Sequence, residues 1–179
     1  MGIGNSRGFK PVSSETGVVN KLRIISHRGN LNGPSHKENH PDQIDECLNS
    51  GFECEVDLWV TKGNFFLGHD FGNYEINLKW LQDRQSLLWI HCKNSEALMY
   101  FTEIEGLKLN FFWHQNDFYT LTSSKKIWVF PGQELPAGSI AVLPELWLKE
   151  DRASELSNCF GICTDFPEKY KEVFAQINY

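Results

Sequence analysis

Residues 52–61 constrain this chain more than any other stretch, because apolar and acidic side chains alternate along them. Glu53, Glu55 and Asp57 fall on one face of an extended segment, and Cys54, Val56 and Leu58 fall on the other. That spacing predicts a strand with one side for a core and an acidic side turned away from it. Lys62-Gly63-Asn64 then turns the chain into residues 65–70, a returning strand that ends in His69-Asp70.

The remaining elements follow from similar signals. Residues 22–26 are a short apolar run stopped by His27-Arg28-Gly29, with a Gly-, Asn-, Pro- and Ser-rich loop beyond. A helix over 41–48 has Pro41 near its start and Gly51 after its end. Residues 87–92 read as a strand, and a helix from Ser95, its expected cap, runs to residue 107. Further strands are predicted at 109–114, 119–122, 127–130, 140–143 and 161–164, before a closing amphipathic helix at 167–177. With residues 65–69 taken as the return arm of a hairpin, the strands number eight, which fits a compact TIM-type (β/α)8 barrel. The chain has 179 residues where such barrels have roughly 250, so several crossover helices must be reduced or missing. The expected organisation is a flexible N-terminal arm over 1–20 and a single α/β barrel domain over 21–179.

Composition narrows the function classes. A net charge of −6, with Lys and Arg scattered, offers no field for a polyanion and argues against nucleic acid as a partner. Five Cys, an odd number without paired zinc-type spacing, argue for reduced thiols rather than a disulfide framework. No apolar run is long enough to span a membrane and no secretory leader begins the chain, so a cytoplasmic protein is expected. Met1-Gly2-Ile3-Gly4-Asn5-Ser6 fits the N-myristoylation pattern, which would add peripheral membrane contact through Gly2. Six Trp point either to bulky core fillers or to an aromatic-lined cleft, and no feature specifies an oligomeric state.

The chemistry concentrates at strand ends. Glu55 and Asp57 leave one strand face together, and a divalent cation between them relieves their repulsion, with hard oxygen donors suited to Mg²⁺ or Ca²⁺. The other reading of that pair is a solvated strand face. His27-Arg28 and His69-Asp70 lie beside turns, where function is more common than packing. Arg offers a planar fork that matches phosphate oxygens, and two His supply a general base and a general acid near neutral pH. His36 and His40 bracket Glu38 in the wrong order for a zincin helix.

Taken in order, His27-Arg28-Gly29, Glu38-Asn39, Gly51-Phe52, Glu55-Val56-Asp57 with Thr61 and Gly63, and His69-Asp70 closely resemble the glycerophosphodiester phosphodiesterase family. Gly161-Ile162-Cys163-Thr164-Asp165-Phe166-Pro167 is similar to that family's closing strand. The resemblance runs from Leu22 to Tyr170 and is dense only between His27 and Asp70. It implies a barrel related to phosphoinositide phospholipases, His27 and His69 as the catalytic pair, and one metal ion held by Glu55 and Asp57. The sequence departs from the family where a Glu-x-Lys strand end reads His91-Cys92-Lys93. Either His91 replaces a carboxylate at the metal, which extends the expected ions from Mg²⁺, Mn²⁺ and Ca²⁺ to Zn²⁺ and Fe²⁺, or it is not a ligand and the site is weakened. Lys93 joins Arg28 on the phosphate. Glu38, Asp70, His114, Glu145 and Asp165 are expected around the site or its pocket, together with Trp128 and Trp147.

The expected activity is hydrolysis of a small glycerophosphodiester-like substrate. Two alternatives stay open at this stage: a lyase that releases a cyclic phosphate, and a binding module that keeps a phosphate pocket without turnover.

Overall fold

The computed structural model describes residues 22–106 and 108–177. The Gly2 pattern and the arm at 1–20 lie outside them. The first apolar run forms β1 (Arg23–His27). Helix α1 (Pro41–Asn49) follows, with the His40 side chain accepting the Asp42 N–H at its start and Pro41 in its first turn. The alternating segment is β2 (Glu53–Thr61), and Lys62-Gly63, both at positive φ, turn it into β3 (Asn64–Leu67). Two elements the residue patterns do not announce come next, β4 (Tyr74–Ile76) and α2 (Leu78–Arg84), the latter capped by Asn77 onto the Trp80 N–H.

Strand β5 (Leu88–Cys92) leads to α3 (Ser95–Glu103). Its cap is Asn94, whose side chain accepts the Ala97 N–H, so Ser95 is the first helical residue rather than the cap. The helix stops short of residue 107 because Ile104 is already extended. Then come β6 (Asn110–Trp113), β7 (Tyr119–Leu121), β8 (Ile127–Val129), β9 (Ile140–Val142), two 3₁₀ segments (Pro144–Leu146 and Glu150–Asn158), β10 (Gly161–Thr164) and α4 (Pro167–Ile177).

The strands form one curled sheet. Across it β6, β5, β2, β1, β10, β9 and β8 run parallel, and β7 closes the row antiparallel to β8. Strand β2 is long enough to pair with β1 through its first half and with β3 through its second, so the β3–β4 hairpin stands above the end of β1. The expected (β/α)8 barrel is therefore corrected: the described residues form a mixed, curled half-barrel with four short helices and no regular strand–helix alternation among them. The cause is chain length between the later strands. Residues 114–118 and 122–126 are too few for a crossover helix, so β7 folds back on β8 as a hairpin. No ladder joins β6 to β7 among the described residues. The Ser123 N–H bonds the Phe111 carbonyl at 2.8 Å and the Thr120 hydroxyl bonds that of Trp113 at 2.7 Å.

Alternation along the strands sorts side chains into two layers. Cys54, Val56, Leu58, Leu88 and Ile90 point outward under α1 and α3, where Ile44, Cys47, Ala97 and Phe101 complete a buried cluster. Ile25, Trp89, Phe112, Trp128, Ile140 and Cys163 fill the inside of the curl. All five Cys are free and buried, as expected for reduced thiols. No helix among the described residues is long and apolar enough to cross a membrane.

Candidate active site

Strand register assembles the site. His27 lies opposite Glu55, and Asp57 lies opposite His91, so four groups from β1, β2 and β5 meet inside the curl near the strands' C-terminal ends. After His27 the chain turns sharply through Arg28 (φ 54°) and Gly29 (φ 83°). The Arg28 N–H bonds the Glu55 carbonyl at 3.0 Å, which fixes the guanidinium over β2. His69 arrives from the hairpin through Gly68 (φ 147°), where a Cβ would collide with the Phe71 carbonyl.

Asp57 is fully buried and heavily contacted. Its Oδ2 accepts Asn39 Nδ2–H at 3.0 Å and lies 3.0 Å from Arg28 Nε and 3.2 Å from His69 Nδ1. Its Oδ1 lies 3.0 Å from His91 Nδ1 and 3.3 Å from Lys93 Nζ, yet makes no aligned hydrogen bond. Burial alone would raise the Asp57 pKa, but the His69 and His91 imidazoles and the Arg28 charge override it and hold the carboxyl well below its usual range. Neighbouring Glu55 goes the other way: burial, then repulsion from Asp57, raises it.

His91 faces acceptors on both sides. Its Nε2 lies 2.9 Å from the His114 carbonyl, which can only accept, so Nε2 carries a proton. Its Nδ1 turns towards the carboxylates, 3.0 Å from Asp57 and 3.9 Å from Glu55. One donor atom each from Glu55, Asp57 and His91 lies within 4.8 Å of the others. The set fits a divalent cation on three counts: mixed N/O donors, a buried carboxylate oxygen without an aligned hydrogen bond, and an imidazole oriented by a main-chain carbonyl.

His27 has its own support. Its Nδ1–H donates to Asp165 Oδ1 at 2.8 Å, and that oxygen also accepts Asn30 Nδ2–H at 2.8 Å. The Asp165 N–H in turn bonds Glu145 Oε1 at 2.8 Å. Burial lowers the His27 pKa by itself, but the Asp165 hydrogen bond and the Glu55 charge leave it raised. Nε2 is thereby left free on a ring that lines the cavity.

Most of the residues singled out in the sequence come together. Glu38 accepts from Arg28 Nη1 at 3.0 Å and from Asn30 Nδ2 at 2.9 Å, so it braces those two side chains rather than lining the cavity. Lys93 Nζ reaches Asp57 and, at 3.3 Å, His69 Nδ1. Arg28 Nη2 lies 2.6 Å from that same nitrogen. His114 contributes through its carbonyl, while its ring lines the cavity against Phe130, and burial lowers its pKa. Asp70 is 82% exposed and its carboxylate is 3.8 Å from His69, too far for a hydrogen bond. Trp147 bonds the Val142 carbonyl and does not line the cavity, whereas Trp128 does.

Sequence reasoning missed Asn30, and it named Asn39 only within the Glu38-Asn39 motif, without a role. Asn39 clamps Asp57 twice, through Nδ2 and by accepting the Asp57 N–H at 2.9 Å, and it does so from the left-handed region (φ 62°). Its place directly before the helix-capping His40 was the available signal. Leu143, at φ 45°, also lines the cavity, so three of the five non-glycine residues at positive φ (Arg28, Asn39 and Leu143) belong to the site. Such strain collects where function over-determines the backbone.

The cavity holds about 460 Å³, within the range of small-molecule sites. No protein-family model, curated protein or solved structure matches this chain.

Proposed function

We propose that this chain is a metal-assisted phosphodiester hydrolase of the glycerophosphodiester phosphodiesterase type, acting on a small phosphodiester. The observation that carries this reading is the convergence of His27 and His69 with Arg28 and Lys93 at one cavity, beside the Glu55–Asp57–His91 cluster.

Each group has a role its surroundings prepare. Asp165 keeps the proton on His27 Nδ1, so Nε2 takes a proton from the attacking water. Arg28 and Lys93 bind the non-bridging phosphate oxygens and offset the charge that grows on them. His69, on the hairpin side of the cleft, protonates the departing alkoxide. Glu55, Asp57 and His91 hold the cation, which when bound supplies Lewis-acid stabilisation to the phosphoryl oxygens. The imidazole donor favours Mn²⁺, Zn²⁺ or Fe²⁺ over Ca²⁺. Five unbridged thiols support a reducing compartment such as the cytoplasm, and the net charge of −6 supports a small substrate over nucleic acid.

The test is turnover of several phosphodiesters by the purified protein with Mn²⁺, Zn²⁺, Mg²⁺ or Ca²⁺ added after chelation. Metal-dependent hydrolysis is expected, falling about 10²–10⁴-fold in H27A and H69A. Phosphorus NMR reads the product, and a cyclic phosphate at early times would replace hydrolysis by the lyase reaction. Binding of phosphodiesters without turnover under any metal would overturn the enzymatic reading.

A further inference from the structure

The cavity divides into two halves of different chemistry. Its charged lining, His27, Arg28, Glu55, His69 and Lys93, comes from β1, β2, β5 and the hairpin. Its opposite lining comes from β6, β8 and β9 and the residues just after them: Phe112, Trp128, Phe130, Val142 and Leu143, with the His114 ring against Phe130. We infer that the substrate phosphodiester carries an uncharged apolar substituent, alkyl or aryl, that lies in this second half. The inference rests on the phosphodiester reading and adds to it the chemical class of the group attached to phosphorus.

Two other kinds of substituent fit less well. A polyol such as glycerol needs a partner for every hydroxyl, and among the described residues this half offers only the Trp128 indole N–H and the buried, unpaired Nδ1 of His114. Each hydroxyl buried there unpaired is disfavoured. Gln115 also borders the cavity, but it is exposed at the rim. A quaternary ammonium needs open aromatic faces or a carboxylate. Here the faces are spent on one another. Phe112 is stacked between His91 (5.0 Å between centroids, 10° between planes) and Trp128 (4.4 Å, 27°), and Trp128 has Trp89 as a further neighbour at 5.9 Å. What such a stack presents sideways is ring edge, the electropositive part of an aromatic ring, which repels a cation and accepts hydrocarbon. No carboxylate lies among the five.

Two further features agree with a binding role for this half. Leu143, in the left-handed region where the chain turns into the 3₁₀ segment at Pro144–Leu146, lies at the cavity wall. Phe130 remains 45% exposed at the rim, in position to close over a substituent longer than the cavity floor.

The experiment measures binding of phosphate monoesters by calorimetry to the full chain loaded with Mn²⁺, so that it does not depend on turnover. The probes are inorganic phosphate, methyl, butyl and hexyl phosphate, glycerol phosphate and phosphocholine. Affinity is expected to rise roughly threefold to fourfold per methylene from methyl to hexyl phosphate until the apolar half is filled. Glycerol phosphate and phosphocholine are expected to bind no tighter than methyl phosphate. V142F, which fills the apolar half, is expected to flatten the series, and F130A, at the exposed rim, to weaken hexyl phosphate more than methyl phosphate. Circular dichroism checks that both variants fold. If inorganic phosphate binds but the alkyl series is flat, or if glycerol phosphate or phosphocholine matches hexyl phosphate, the inference is overturned while the phosphodiester reading stands. Failure of every phosphate compound to bind overturns both.

Discussion

Replacing Asp165 by Asn tests whether the His27–Asp165 pair is a working dyad or ordinary packing. The hydrogen bond is 2.8 Å long and the two side chains are only 14% and 9% exposed, so solvent screening takes little from it. A hydrogen bond between charged partners is worth about 1.5–3 kcal/mol, and an Asn in place of Asp keeps an acceptor but removes the charge. His27 sits above its ordinary 6.5 because Asp165 and Glu55 outweigh burial. Without the Asp165 charge the balance tips towards burial, and the His27 pKa falls below the wild-type position.

The sign of the stability effect follows from linkage. A His raised in the folded state contributes stability that is full below its unfolded pKa and is lost as pH rises through its folded pKa. Asp165 is lowered: burial raises it, but the His27 and Asn30 hydrogen bonds and the His27 charge override burial. Its contribution is present above its unfolded pKa and is lost as pH falls through the folded one. The pair is therefore at full strength from about pH 4 to about pH 6.5. D165N is expected to cost about 1.5–3 kcal/mol in urea unfolding at about pH 5, and about 1 kcal/mol or less at about pH 8.5, where a neutral imidazole still donates to the Asn oxygen. NMR titration of His27 gives the second readout, with a lowered midpoint in D165N. An unchanged His27 midpoint, or a loss at alkaline pH as large as that at acid pH, would refute the reasoning.

Three other outcomes are expected. N39A should cost about 2–4 kcal/mol in chemical denaturation, since it removes two bonds to Asp57 and leaves Ala at φ 62°, and N39G should recover roughly 1 kcal/mol of that. H91E should lower Zn²⁺ affinity by about tenfold or more and raise that for Mg²⁺ or Ca²⁺, read by calorimetry; equal affinities in both proteins would remove His91 from the metal site. The native protein should not react with a thiol reagent at about pH 8, because all five thiols are buried and burial pushes Cys92 up to about 12.

Much of the fold was legible because the signals were local. Period-two alternation marked β2, and the turn at Lys62-Gly63 marked its hairpin. The barrel was misread because a strand count carries no direction. The β7–β8 turn, with Lys125 at φ 61°, lacks the Asn-Gly or Asp-Gly pair that would have announced an antiparallel return. β4 and α2, of three and seven residues, are too short for their periodicity to stand out. His27, His69 and Lys93 were legible because they end or follow strands, and Glu55 and Asp57 because they alternate with apolar residues along β2. Asn30 and Asn39 were not, since their roles depend on partners far along the chain: Asp165 lies 135 residues from Asn30, and Asp57 lies 18 from Asn39.

The division of the cavity also has a consequence for how this protein can change. The groups proposed as acid, base, phosphate-binding cations and metal ligands fall between His27 and Lys93, with the His114 carbonyl and Asp165 as supports from further along the chain. The opposite wall falls between Phe112 and Leu143. On the proposed function, reactivity and selectivity occupy consecutive stretches of one gene. Diversity introduced into the second stretch can be screened for new ligands while the reacting groups stay constant, and β8 and β9, joined by a loop rather than a helix, give that stretch room to accept insertions.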